Sequence, residues 1–298
     1  MQHPQIFHVD SFTKTPFRGN PAGVVLNADG LSARQMQDLA RELKHSETAF
    51  VMAPQDDSHD VYIRYFTPTM EVPVCGHATI AAHYARATWL QLGYVELKQK
   101  TGAGIQAIVV QAIGDGYRIT MRQGPIAFGA PFSAALRSEL ASALGVPEHH
   151  LAPDLPVQIV STGHSKVMVP LAAGISLDDI DPDQHALKDL SGVIGCNGFF
   201  PFTIDREASA THGRMFAPAI GIAEDPVTGN ANGPLGAYLV KHKLMRHDGQ
   251  RLVFDGHQGR ALGRDGVVSV SVDIDDGEPV RVAISGVAVI LFSARLNT

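Results

Sequence analysis

Cysteine is scarce in this chain: of 298 residues only Cys75 and Cys196 carry a thiol. Two cysteines supply no disulfide framework, so a reducing cytoplasm is the expected setting. No apolar run approaches the roughly 20 residues of a membrane span, and Met1-Gln2-His3-Pro4-Gln5 has neither the basic region nor the apolar core of a signal peptide. Basic charge is in deficit, with a formal net charge of -6, which gives no reason to expect nucleic acid or an anionic membrane as a partner. The chain also lacks a Gly-X-Ser-X-Gly elbow, a phosphate-binding Gly-X4-Gly-Lys-Ser/Thr loop and a Gly-X-Gly-X-X-Gly turn opening a helix. The 14 histidines invite a metal, but no His-Glu-X-X-His or paired Cys-X-X-Cys spacing is present, so none is expected. Low-complexity segments and flexible linkers are missing too.

What is there is an ordinary globular composition, 45% hydrophobic and 18% charged, long enough for one large or two medium domains. One pattern stands out because it is written twice. Phe66-Thr67-Pro68 leads to Cys75-Gly76-His77-Ala78-Thr79 and a helix of small residues. Phe216-Ala217-Pro218 leads to Thr228-Gly229-Asn230-Ala231-Asn232 and another, 153 residues later. A glycine turn at a helix start leaves the first backbone N–H groups unpaired at the positive end of the helix dipole, where an anion such as a carboxylate is favoured.

The rest of the chain falls into place around these units. Ser32 with Gln35 reads as a capping box, and Met36, Leu39, Ala40 and Leu43 share one helical face. That helix should end near Lys44, before the strand Thr48–Met52, leaving His45-Ser46-Glu47 on the junction. Helices are expected from about Ala78 to Leu92 and Asn232 to Leu244, the first apolar nearly all round and hence buried. Further helices are expected at Ser133–Leu144 and, briefly, Leu187–Leu190. Strands are expected at Val95–Lys100, Gly104–Ala112, Tyr117–Gln123, Val193–Ile204, Arg251–Phe254, Val267–Ile274 and Val280–Phe292. Gly124–Gly129 reads as a crossing between two lobes.

The chemistry on offer is acid–base. Glu47 is the leading general-base candidate, a lone carboxylate followed by apolar Ala49, Phe50 and Val51 that would partly desolvate it. The competing interpretation is a surface Glu at a helix end. His77 sits at a helix mouth, where a neutral imidazole can relay a proton, although structural histidines are as common. Asp225 precedes the second glycine turn and either bonds a ligand or caps the turn. Cys75 lies one residue before a helix, an arrangement that favours thiolates, but its counterpart is Thr228, so there is no matched pair of thiols.

These residues resemble the PhzF-like isomerase family, which has the diaminopimelate-epimerase fold. The matching pieces are Phe17-Arg18-Gly19-Asn20-Pro21-Ala22-Gly23-Val24, His45 through Phe50, Phe66-Thr67-Pro68 with Glu71-Val72, Cys75 through Thr79, and Phe216 through Gly229. Gly195 through Phe202 and Glu224 through Asn232 place the likeness nearest the YddE-type branch. The resemblance implies an α+β fold of two pseudo-symmetric lobes, each a mostly antiparallel sheet around a central helix. The expected boundaries are 1–124, joined by a last strand at about 284–298, and 125–283, with the site between the lobes and a homodimer as the usual assembly. It further implies a cofactor-free proton shift on a small carboxylated substrate, with Glu47 as base, His77 and Asp225 assisting, and Gly76, Gly229, Asn230 and Asn20 holding the substrate. Ser46 and Cys75 are accessory. At one position the chain departs from the phenazine enzyme, with Asn230 in place of a Ser, and an amide cannot relay a proton as a hydroxyl does. Epimerisation of an amino or hydroxy acid, with Asp225 or Cys75 as a second base, is the alternative chemistry. A non-catalytic dimer that binds a small anion is the third.

Overall fold

The computed structural model describes residues 3–296. Met1, Gln2, Asn297 and Thr298, at the ends of the expected first lobe, lie outside the described residues. The chain divides into two compact units, one running to Arg122 and resuming at Ser285, the other spanning Gln123–Ile284.

The first unit contains β1 (Gln5–Ser11), β2 (Asn20–Leu26), α1 (Ala33–Leu43), β3 (Thr48–Met52), β4 (Val61–Phe66), β5 (Glu71–Val72), α2 (Gly76–Leu90), β6 (Val95–Thr101), β7 (Gly104–Ile113), β8 (Gly116–Arg122) and the last strand, β19 (Ala288–Arg295). β1 pairs antiparallel with β19 and β2, β2 parallel with β3, β3 antiparallel with β4, and β4 parallel with β6. β6, β7 and β8 close the order as an antiparallel meander, while short β5 lies along β4. The centre is α2, which packs against β1, β2, β3, β7, β8 and β19. Alanines at 78, 81, 82, 85 and 87 are all fully buried on it, because small side chains let strands approach a helix from several sides. α1 covers a separate cluster with Met36 and Ala40 against Val25, Phe50 and Phe66.

The second unit contains β9 (Ile126–Pro131), α3 (Ala134–Ala143), β10 (Gln158–Thr162), β11 (Ser165–Pro170), α4 (Gln184–Ile194), β12 (Phe199–Asp205), β13 (Ala210–Gly213), β14 (Met215–Ala217), β15 (Ile222–Asp225), α5 (Gly229–Lys241), β16 (Arg251–Gln258), β17 (Gly266–Asp275) and β18 (Glu278–Gly286). Its pairings repeat the plan of the first: β10–β11 antiparallel, β11–β12 parallel, β12–β13 antiparallel, β13–β16 parallel and β16–β17 antiparallel. α5 packs on β10, β11, β16 and β17. By propensity it is a poor helix, holding Gly233, Pro234 and Gly236 inside its span. Close packing explains the choice at Gly236: a Cβ there would stand 2.8 Å from Val272 and 2.9 Å from Val270. A larger residue would push the helix off its sheet.

Several expected elements differ in extent. α2 and α5 each begin at their glycine, earlier than the apolar pattern suggests, because neither start carries a side-chain cap that would mark it. α4 is a helix of 11 residues, longer than the short helix expected at Leu187–Leu190, held at its start by the Asp183 carboxylate accepting from the His185 and Ala186 amides. It ends at Ile194, so the following strand starts only at Phe199. The expected crossing at Gly124–Gly129 instead enters strand β9, which pairs antiparallel with β10. The last expected strand is two, β18 and β19. Among the described residues no helix is long and apolar enough to cross a membrane.

Candidate active site

Two clusters collect the candidate residues, one in each unit. In the first, α1 stops at Leu43 because Lys44 turns into the left-handed region at φ 57°, and His45-Ser46-Glu47 runs on to β3. The junction is pinned by the Gly23 amide donating to the Glu47 carbonyl at 3.2 Å. Only glycine fits at that point: a Cβ on residue 23 would lie 2.8 Å from Thr48 Oγ1 and 3.0 Å from His45 Cδ2.

From this junction Glu47 and Ser46 meet the start of α2. His77 Nε2 lies 3.4 Å from Glu47 Oε2 and 3.3 Å from Ser46 Oγ. On the other side of the ring, Nδ1 is 3.3 Å from Cys75 Sγ. The imidazole therefore stands between a thiol and a carboxylate, and donation from one face sets acceptance on the other. The ring is 7% exposed and the Glu47 side chain 14%, so both act in a largely desolvated setting. Glu47 Oε2 is buried and accepts no hydrogen bond among the described residues. The His77 carbonyl takes a 2.8 Å hydrogen bond from buried Ser11 Oγ, which fixes the helix start against the end of β1. Asn20 sits opposite Ser11 in the β1–β2 register and is buried. Ser46, Glu47, Cys75, Gly76 and His77 are thus brought together, with Asn20 reaching them through Ser11.

The second cluster surrounds the start of α5. Asp225 Oδ2 accepts a short hydrogen bond from Thr228 Oγ1. Gln258 threads the turn with four bonds. Its Oε1 accepts from the Thr228 amide at 3.0 Å and Asn232 Nδ2 at 3.1 Å; its Nε2 donates to the Asp225 carbonyl at 2.8 Å and Thr228 Oγ1 at 3.1 Å. Gln123 Nε2 donates to the Gly229 carbonyl at 3.2 Å and to Asn230 Oδ1 at 3.3 Å, its own Oε1 taking the Thr162 hydroxyl at 2.6 Å. Half-buried Lys166 lies across Gly198, and burial holds its ammonium below the usual lysine range, opposed by the nearby Cys196 and Asp225.

Both glycine turns are open at the helix end. Neither Cys75 nor Thr228 caps its helix with a side chain, and among the described residues the amides of Gly76, His77, Gly229 and Asn230 meet no acceptor. By contrast, Ser32, Ser133 and Asp183 cap α1, α3 and α4. At each of these helix N-termini the two orphan donors are what an anionic group would satisfy.

Behind each turn stands a clamp that sequence reasoning missed. Arg64 donates to both oxygens of Glu71 at 2.7 Å, and Arg214 to both of Glu224 at 2.9 and 2.8 Å. Each guanidinium also lies over the phenylalanine two residues on, at 5.0 Å from Phe66 and 4.9 Å from Phe216. In both copies the acid is five residues before the glycine, so the signal was an Arg-X-Phe-X-Pro motif followed by Glu at fixed distance from Gly. Gln258 and Gln123 gave no such signal, since both come from remote strands or their ends.

A duplicated sheet-and-helix unit with a largely buried carboxylate–imidazole pair at an uncapped helix start points to a class of protein, and comparison with known proteins shows the family. The chain belongs to the family described as phenazine biosynthesis-like protein, whose model matches residues 9–294, a family of isomerases and epimerases. The fold is accordingly diaminopimelate-epimerase-like. Over 291 residues the chain is 55% identical to the uncharacterized isomerase YddE of Escherichia coli K12, covering 98% of this chain and 97% of that protein. It is 31% identical over 294 residues to the trans-2,3-dihydro-3-hydroxyanthranilate isomerase of Pseudomonas chlororaphis, covering 93% and 94%. The crystal structure of a PhzF-family protein from Bacillus anthracis superposes with a TM-score of 0.87 at 33% identity, covering all of both chains.

Proposed function

We propose that this chain is a cofactor-independent isomerase in which Glu47 removes a proton from a carbon of a small carboxylated metabolite and the proton is returned elsewhere on the same molecule. The observation that carries the reading is the free lone pair on Glu47 Oε2: buried, without a hydrogen bond among the described residues, and 3.4 Å from His77 Nε2. A carboxylate oxygen so placed is not engaged by a donor and is available to take a proton from a bound carbon acid. His77 is suited to carry the proton away or to support the anion that forms. The open amides of Gly76 and His77 meet negative charge on a substrate carboxylate or enolate, where stabilisation aimed at developing charge has its largest effect on rate. Support also comes from the family, since the Pseudomonas relative is named for isomerisation of trans-2,3-dihydro-3-hydroxyanthranilate.

The test is deuterium incorporation from heavy water into a panel of carboxylated metabolites, wild type against Glu47→Gln. Exchange on at least one compound, reduced by about a hundredfold or more in the variant, is the expected result for loss of a general base. Exchange of equal rate in the variant removes Glu47 from the chemistry. One observation supports a second reading, epimerisation of an amino or hydroxy acid: Cys75 Sγ stands 3.3 Å from His77 Nδ1 and offers a second proton carrier. Chiral chromatography of the product separates the two, because epimerisation inverts one stereocentre and leaves every double bond in place.

A further inference from the structure

The three side chains at the start of α2 also form a ligand set. We propose that Glu47, Cys75 and His77 together bind a zinc ion, and that the ion blocks the base; this rests on the reading of Glu47 given above. One carboxylate oxygen, the thiol sulfur and one imidazole nitrogen lie within 4.8 Å of one another. Tetrahedral zinc, with sulfur at about 2.3 Å and nitrogen or oxygen at about 2.0–2.2 Å, separates its ligand atoms by roughly 3.4–3.6 Å. The Sγ–Nδ1 distance of 3.3 Å and the Nε2–Oε2 distance of 3.4 Å are already near that spacing. Because those two contacts use opposite ring nitrogens, a side-chain rotation of Glu47 or His77 brings all three donors onto one ion.

The chemistry of the donors selects the metal. A thiolate with an imidazole is too soft for magnesium or calcium and suits zinc. Carboxylate and thiolate together carry two negative charges, which balance the ion and outweigh the ~0.5 positive charge at the N-terminus of α2. The thiol proton leaves to solvent as the Zn–S bond forms, and no electron is transferred. Ser46 Oγ, 3.3 Å from Nε2, is placed to hold the ring when Nδ1 takes the metal. Three protein ligands leave a fourth position open, and an ion there occupies the Glu47 lone pair that would take the substrate's proton. Zinc loading and proton abstraction therefore exclude each other, which makes the site a reversible off-switch.

Cys196 is the only other cysteine, so the sulfur can be assigned without ambiguity. The full chain, stripped of metal, is titrated with cobalt(II) while the thiolate-to-cobalt charge-transfer band is followed, and with zinc against a chromophoric chelator. Wild type and Cys196→Ser should show the band at one ion per chain, and Cys75→Ser should not. Zinc affinity should fall at least about tenfold in Cys75→Ser and in Glu47→Gln, as even outer ligand partners are worth that much. No band in wild type, or a band kept in Cys75→Ser, overturns the proposal. Glu47→Gln keeps the side chain's shape and gives the answer by a second route if Cys75→Ser folds poorly. The titration needs no substrate: Glu47-dependent exchange without a cobalt band rejects the metal site and leaves the base, and the opposite pair of results rejects the base alone.

Discussion

Mild acid should loosen the centre of the first unit through His83, which lies midway along α2 with no exposed surface. Its Nε2 is 2.8 Å from Gln99 Oε1, while Gln99 Nε2 donates to Gln106 Oε1 at 2.8 Å. The Gln99 oxygen is therefore the acceptor and His83 Nε2–H the donor. That leaves Nδ1 as a bare lone pair, buried and without a partner among the described residues. A proton there would put a charge in the core with nothing to receive it. Burial accordingly pulls the imidazole from 6.5 down to about 4, with Gln99 opposing and the nearby Arg86 charge adding to the fall. The unfolded chain takes up this proton near its ordinary value and the folded chain only near the lowered one. Between the two the unfolded state binds more protons, so stability rises with pH. The contribution is complete above the ordinary value and is lost as pH falls to the lowered one. About 2.5 pH units at roughly 1.4 kcal/mol each gives about 3.5 kcal/mol, a large share of a typical domain's stability. Trp89, the single tryptophan, lies at the end of the same helix against Phe7 and reports on this unit. Urea unfolding followed by its fluorescence at pH about 7.5 and about 4.5 should show wild type losing about 2–3 kcal/mol more than His83→Gln. An equal loss in both proteins would refute the reasoning, because the carboxylates that also titrate are common to the two.

Other substitutions test the frame of the two clusters. Arg214→Met leaves Glu224 11% exposed and without its partner and also strips donors from the Leu177 and Ile180 carbonyls. The urea midpoint should report a loss of about 3–5 kcal/mol. Lys241→Met breaks an exposed pair with Glu278 and should cost under about 1 kcal/mol. Gly23→Ala drives a methyl group into Thr48 and His45; we expect about 1–3 kcal/mol of destabilisation, and deuterium exchange falling further than stability alone explains, since the displaced segment carries Glu47. Gln258→Ala removes four hydrogen bonds at the second turn and should cost at least about 2 kcal/mol, read by chemical denaturation.

What could be read from the sequence follows from how local each cause is. α1 was legible to its ends because its stop and start lie within the segment: Ser32 with Gln35 at one end, an apolar face finishing at Leu43 at the other. The repeated turns were legible because glycine, proline and phenylalanine are written in the same order twice. The Arg64–Glu71 pair is not legible in the sequence, since only the pairing of β4 with β5 brings the two forks together, and β14 with β15 does the same for Arg214 and Glu224. Cys75 is legible as an accessory residue without a second thiol, but its contact with the imidazole two residues on is fixed by the direction of the first turn of α2 rather than by any spacing in the sequence. The starts of α2 and α5 were placed too late for the most informative reason. A helix start is recognised by the side chain that caps it, and these two have none. Ser32, Ser133 and Asp183 occupy the corresponding places on α1, α3 and α4. A cap withheld at two starts, one held by a serine bond and the other by glutamine bonds from other elements, leaves donors that the fold does not use. The same gap that hides the helix boundaries leaves those donors open, in the setting that suits an anionic group.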